Sequence, residues 1–362
     1  MIENKYSVLS VDSNPDYLFF VPITCAFWRE LGYQPFVILV EKDISPEIKQ
    51  LVLNETDKVG GHIEIIEHIE GYRTCNVAQI SRLYAAASSY FKDDDYLITD
   101  DMDKFVIDPR WFNQQKAEKD IHIYDPDELN YTRLKIGNIG MKAKIWKEVI
   151  GVKDESIRDN VKACFNQHLS QDASWDKGWN LDEWILTKRV FESQYYPDKC
   201  QMLTRGGTQW GTRTGRICRG AWPQTFLTCM SSRLIDVHLH RDPYVGQIWE
   251  DTLTIMSTVF PKDQVEAFDE YFKIIVCGYN VEKYIAANIK SIQNQTHTNF
   301  HCIIVDAKST DNTVAKAQEL IAGDSRFEIV CNEERKFALQ NIFEAAHYSN
   351  PDDEDVVTTV DG

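Results

Sequence analysis

Three carboxylates fall within four residues in the run Asp100-Asp101-Met102-Asp103, directly behind the apolar stretch DYLIT that ends at Thr99. Carboxylates crowded this closely repel one another unless a cation neutralises them. Hard oxygen donors at this spacing suit Mn²⁺ or Mg²⁺, and such an ion can bridge to a diphosphate. A bare D-x-D is more often a solvated acidic turn. The buried strand in front of this one raises its standing, because ligands of open α/β sheets bind at the carboxyl ends of the strands.

Several elements must position that cluster. Tyr6–Val11 reads as a strand, DSNPDY as a loop or turn, and Leu18–Leu31 as a helix stopped by Gly32; Pro35–Val40 is an apolar run of buried-strand type. Strand, helix and strand in quick succession predict the opening of a parallel α/β sheet. A helix is expected over Asn76–Tyr90, the metal strand over Asp95–Thr99, and further helices over Ala143–Val149 and Asp182–Phe191. Gly206–Gly220, rich in Gly, Thr and Arg, reads as a mobile loop, and residues 261–272 as a linker helix. A new α/β unit then begins, with KIIVCGYN, an amphipathic helix over Val281–Gln293, and HCIIVD. Two similar openings in one chain are a weak sign of internal duplication.

The first 260 residues resemble the GT-A glycosyltransferases, most closely the compact GT-A domains in multidomain glycosyltransferases of large algal viruses. The fold class implied is α/β, a Rossmann-like nucleotide-diphospho-sugar transferase domain over residues 1–260. In that family the D-x-D motif holds the metal that carries the nucleoside diphosphate, which assigns Asp101 and Asp103 as metal ligands and Asp100 as an accessory donor-side acid. The resemblance further implies base and ribose contacts from Ser10 and Asp12, although Asp12 equally suits an Asx turn supporting Pro15. It implies a donor contact from Arg82 and a third metal ligand from DVHLHRDPY, with His238 first and His240 second. The segment WDKGWNLDEWIL resembles the place where inverting members carry their general base, which makes Asp182 the first candidate and Glu183 the second. Either acid also suits the start of a helix. Trp175, Trp179 and Trp184 could offer a platform for a sugar ring, or pack in the core.

Residues 273–362 resemble glycosyltransferase family 2. The runs IIVCGYNVEKYI, SIQNQT and IIVDAKSTDNT follow that family's opening, which implies a nucleotide pocket at Tyr279, Asn280 and Asp306. The second acid of the family's usual pair is Ala307 here, and VVTTVDG ends at Asp361 and Gly362, where the family's metal motif would continue. A partial second GT-A-type α/β domain is therefore expected.

Composition narrows the alternatives. Hydrophobic residues make up 43% of the 362, enough for substantial cores, and a formal charge of −17 opposes nucleic-acid binding. Nine cysteines without a C-x-x-C pair point away from a zinc knuckle or a disulfide framework, and towards reduced thiols. No segment reaches the roughly 18 apolar residues a membrane span needs, and the N-terminus lacks a signal-peptide pattern. The expectation is a cytoplasmic, metal-dependent enzyme that moves a sugar from a nucleotide sugar, UDP-linked by preference, to a hydroxyl of a glycan acceptor, with inversion. The alternatives are an inactive nucleotide- or carbohydrate-binding module and, more weakly, a nucleotidyltransferase, whose Gly-rich basic loop SVDSNPD does not supply.

Overall fold

β2 (Gln34–Glu41) carries an unbroken apolar run from Pro35 to Val40, β1 (Lys5–Val11) has small serines between its apolar residues, and both strands are buried on both faces. That is the pattern of parallel strands covered by helices on either side. The structure, a computed structural model, describes residues 4–125, 134–153, 156–169, 180–204, 215–217, 219, 234–240, 247–261, 265, 272–295, 300–348 and 356–361. The chain divides into two compact units, Met1–Arg241 and Asp242–Gly362.

The first unit continues with β3 (His62–Glu67), β4 (Tyr96–Thr99), β5 (Lys104–Val106), β6 (Ile121–Tyr124), β7 (Ile139–Lys142), β8 (Cys200–Leu203), β9 (Arg216–Ile217) and β10 (Asp236–His238). Seven of these form a mixed sheet in the order β3-β2-β1-β4-β7-β6-β8. All neighbours are parallel except that β7 runs antiparallel to both β4 and β6. A small second sheet, β5-β10-β9, carries His238 opposite Lys104.

Local chemistry sets the helices. Asn14 accepts from the Asp16 N–H and Pro15 opens a single turn, Pro15–Leu18, after which the chain restarts as Phe20–Glu30. The helix expected over Leu18–Leu31 is present as Phe20–Glu30, and the segment read as a loop or turn contributes the short helical turn before it. Gly32, at φ +83°, follows this helix in the left-handed conformation that glycine adopts at low cost. Ser45 caps Pro46–Lys58, a helix the sequence reading passed over. The helix expected over Asn76–Tyr90 is α-helical over Thr74–Ser81 and then tightens to a 3₁₀ turn over Arg82–Ala87, all six of whose residues are buried. The three alanines there let the turn lie close against the helix Ala143–Ile150.

The second unit has four parallel strands, β11 (Phe272–Gly278), β12 (Phe300–Asp306), β13 (Phe327–Cys331) and β14 (Val356–Asp361), in the order β13-β12-β11-β14. Ile274, Val276 and Ile304 pack on one face against Ile285, Ile289 and Ile292 of the helix Ile285–Gln293. Its order repeats that of β3-β2-β1-β4, so the duplication suspected from sequence has a counterpart in topology. Most of the expected linker, residues 261–272, lies outside the described residues. No helix among the described residues is long and apolar enough to cross a membrane.

The antiparallel strand depends on one glycine. A Cβ on Gly140 would run into the Tyr96 phenol, which lies diagonally across β4. Gly140→Ala is expected to lower unfolding stability by about 1–3 kcal/mol, read from urea denaturation. An unchanged midpoint would mean that Tyr96 can move aside.

Candidate functional site

The chain runs outward from β1 to β2 and β3, then crosses back to β4 on the other side of β1. In open α/β sheets such a reversal opens a crevice at the carboxyl ends of the two strands. Here it is a cleft of about 330 Å³. Ser10, Asp12, Arg82, Asp101, Asp103, Asp182, Glu183 and His238 all line it. Residues from five separate stretches of sequence are thus brought together. Asp100 is fully buried beside the cleft rather than lining it.

At the end of β1, Asp12 accepts the Asn14 N–H at 3.2 Å and the Thr74 hydroxyl at 2.8 Å. The Asx turn weighed from sequence is therefore present, and its second oxygen also ties β1 to the helix Thr74–Ser81. Ser10 stands two residues earlier on the same wall.

The acidic cluster is held by one cation per carboxylate. Asp100 donates its N–H to the Val8 carbonyl at 3.0 Å, and its Oδ1 faces the Lys104 ammonium and the Asp101 N–H. Its Oδ2 is buried without a hydrogen-bond partner. Burial pushes the Asp100 carboxyl up to about 6, against the pull of Lys104. Asp101 meets Arg82 Nη1 at 2.5 Å. Burial works against its ionised form, yet Arg82 and then Lys104 hold the carboxyl well below its ordinary range. Asp103 pairs with the Arg219 guanidinium, and its other oxygen lies 3.6 Å from His238 Nε2. Burial, then Arg219, pushes His238 down to about 3, so the imidazole is neutral at physiological pH.

A carboxylate beside a neutral imidazole, with Asp101 on the same cleft, is a donor set that fits a divalent cation of the Mn²⁺ type. The fit is incomplete in this arrangement. Among the described residues no three His, Cys, Asp or Glu side chains converge as a metal-holding group. Arg219 supplies the positive charge at Asp103 instead.

Across the cleft, Asn180 at φ +65° turns the chain into the helix Leu181–Phe191. Asp182 in its first turn is 2% exposed; Oδ2 lies 3.3 Å from Arg82 Nη2, and Oδ1 accepts the Glu183 N–H at 2.9 Å. Burial raises the Asp182 carboxyl while Arg82 opposes the shift. Glu183 is half-buried on the same wall. His240 does not line the cleft and Trp184 is 57% exposed, while Trp175 and Trp179 lie outside the described residues. The sequence reading missed Lys104 and Arg219. Lys104 was visible as the basic residue four places after Asp100, whereas Arg219 carried no signal beyond the basic character of its loop.

Tyr279 and Asp306 belong to the second unit, at the carboxyl ends of β11 and β12. The Arg335 guanidinium lies 4.1 Å from the centre of the Tyr279 ring. Asp306 accepts the Ser309 N–H at 2.9 Å through Oδ2, and its Oδ1 is buried without a partner. Asn280, at φ +54°, accepts the Thr310 N–H at 2.8 Å and so laces the two strand-end loops together.

Residues 273–362 match the family model described as Glycosyl transferase family 2. Among curated proteins the chain is 42% identical over 59 residues to an uncharacterised glycosyltransferase of Haemophilus influenzae, covering 16% of this chain and 18% of that one. It is 39% identical over 71 residues to the Escherichia coli UDP-Glc:alpha-D-GlcNAc-diphosphoundecaprenol beta-1,3-glucosyltransferase WfgD, covering 19% of this chain and 27% of that protein. The chain thus spans under a third of either relative. Among solved structures it is similar to the glycosyltransferase GlyE of Streptococcus pneumoniae TIGR4, at 14% identity and a TM-score of 0.41, over 94% of this chain and 83% of that one.

The Asp100–Lys104 pair gives the site a stability test. Lys104→Met leaves a fully buried carboxylate without its cation and is expected to cost about 3–5 kcal/mol in chemical denaturation. Adding Asp100→Asn should recover much of that loss. Equal instability of the single and double variants would show that Lys104 acts through packing.

Proposed function

We propose that the chain is a metal-dependent glycosyltransferase whose first unit moves a sugar from a nucleotide sugar to a hydroxyl of a glycan acceptor. The observation that carries this reading is the joining of Asp101, Asp103, His238, Asp182 and Glu183 in one cleft at the switch point between β1 and β4. The match of residues 273–362 to family 2 supports sugar transfer as the chemistry of the chain. The UDP-glucose donor in the name of WfgD supports a UDP-linked donor. On this reading residues 1–260, which take in the first unit and the start of the second, form the transferring domain, 261–272 a linker helix, and 273–362 a domain that binds nucleotide through Tyr279 and Asp306.

Asp103 and His238, with Asp101 beside them, would hold Mn²⁺ or Mg²⁺. The ion's contribution is Lewis-acid stabilisation of the departing diphosphate. Ser10 and Asp12 face the nucleoside end of the donor. An acceptor oxygen attacks C1 of the sugar as its proton passes to the Asp182–Glu183 pair. The new C–O bond forms, and the bond from C1 to the phosphate oxygen breaks with its electrons leaving on the diphosphate. Direct attack of this kind inverts the anomeric centre.

Two observations favour a second reading, a binding module without catalysis: Arg219 already neutralises Asp103, and Ala307 stands where the family 2 pattern has an acid. A panel of nucleotide sugars with Mn²⁺, assayed for diphosphate release, separates the two. Release with at least one donor, lowered about 100-fold or more by Asp103→Ala, is the expected result. No release with any donor, together with a metal-dependent thermal shift from a nucleotide alone, would establish the binding module instead.

A further inference from the structure

Arg82 touches both halves of the cleft. Its side chain is 6% exposed and sits where the helix Thr74–Ser81 passes into the 3₁₀ turn. Nη1 donates to the Asp100 carbonyl at 2.9 Å and to Asp101 Oδ1 at 2.5 Å, and Nη2 reaches Asp182 Oδ2 at 3.3 Å. The two carboxylates belong to segments about 80 residues apart in sequence, the end of β4 and the first turn of the helix Leu181–Phe191. A planar guanidinium can hold two carboxylates in a fixed mutual geometry, which a single ammonium point charge cannot. With Arg82 so engaged at Nη1 and Nη2, the cleft gains a rigid brace rather than a side chain left over to meet a ligand.

We propose that Arg82 is a positioning residue that couples the metal-side carboxylate Asp101 to Asp182 of the acceptor wall. This rests on the transferase reading of the cleft. The brace fixes the spacing between the diphosphate end and the general-base end of the site, so that both meet one substrate at one distance. Misplacement of either end by an ångström is the kind of error that lowers turnover without lowering affinity.

Two measurements on the full chain test it. The first needs no substrate: amide hydrogen exchange at residues 100–104 in the wild type, Asp182→Asn, Arg82→Met and the double variant. Asp182→Asn should quicken exchange at 100–104, and should add nothing in the Arg82→Met background. Unchanged exchange at 100–104 in Asp182→Asn overturns the coupling, whether or not the protein turns over any donor. Coupled exchange in a protein that turns over no donor leaves the brace standing and removes the transferase reading. The second measurement is steady-state kinetics of Arg82→Lys, which keeps the charge and loses the fork. The expected result is kcat lower by about 10- to 100-fold with the donor KM within about threefold. A raised KM at unchanged kcat would overturn the proposal by making Arg82 a direct donor ligand.

Discussion

Four carboxylates, Asp100, Asp101, Asp103 and Asp182, crowd the carboxyl ends of β1 and β4, and three of them are at least nine-tenths removed from water. Desolvation on that scale costs more than the mutual attraction of an ill-made ion pair returns, so each acid needs a well-placed cation or a proton. The surrounding elements answer that need one by one. β5 follows the cluster directly and brings back Lys104, the 3₁₀ turn delivers Arg82 between Asp101 and Asp182, and Arg219 reaches Asp103. Three side-chain cations face these four acids, which leaves the group one negative charge in excess. On the proposed reading that residual charge, with the neutral His238, draws a divalent ion to Asp103 in preference to a bare arginine.

The same constraint reaches into the sheet. Asn138 stands just before β7 at φ +78°; its N–H donates to the Thr99 carbonyl at 2.5 Å and its side-chain oxygen takes a hydrogen bond from Lys104. The start of the only antiparallel strand in the seven-stranded sheet is thus fixed by the counter-ion of Asp100. Gly137, just before it, passes so near the cluster that a Cβ there would sit 3.0 Å from Asp101 Oδ2. Insertion of β7 beside β4, rather than continuation of the parallel ladder, gives the cleft the wall that Ile136 completes.

Much of this frame was legible from the residues alone. Long apolar runs such as Tyr6–Val11 and Pro35–Val40 can satisfy their backbones and bury both faces in few ways other than a parallel sheet. Strand ends then fall where ligands bind, which is why Asp101, Asp103 and Ser10 could be grouped before any coordinates. His238 and Asp182 joined them only through the resemblance of their segments to those of GT-A glycosyltransferases. What sequence could not supply was partnership across distance. Nothing in RLYAAA announces that Arg82 spans to Asp182 a hundred residues later, and a helix period says nothing of the 3₁₀ turn that aims it. Antiparallel β7 was hidden for a related reason: four residues, one of them glycine, carry almost no periodic signal. In the second unit the strands KIIVCGYN, HCIIVD and VVTTVDG were legible as an α/β opening, whereas their order β13-β12-β11-β14 and the stacking of Arg335 on Tyr279 came only from the structure.

A protein with a formal charge of −17 is a poor host for an anionic diphosphate if that charge is taken as a whole. Screening makes the whole irrelevant, because at physiological ionic strength charges farther than about 8 Å from a ligand are largely hidden from it. The local field decides. At the cleft, Asp101 and Asp182 share Arg82, Lys104 lies against Asp100 and Arg219 against Asp103, so the acids are largely paired. A polyanion is different in kind: a nucleic acid must lie along tens of ångströms of surface, over which the net charge of −17 is felt. On the proposed reading, the paired charges at the cleft are compatible with a small dianion there, while the net charge of −17 opposes a long polyanion.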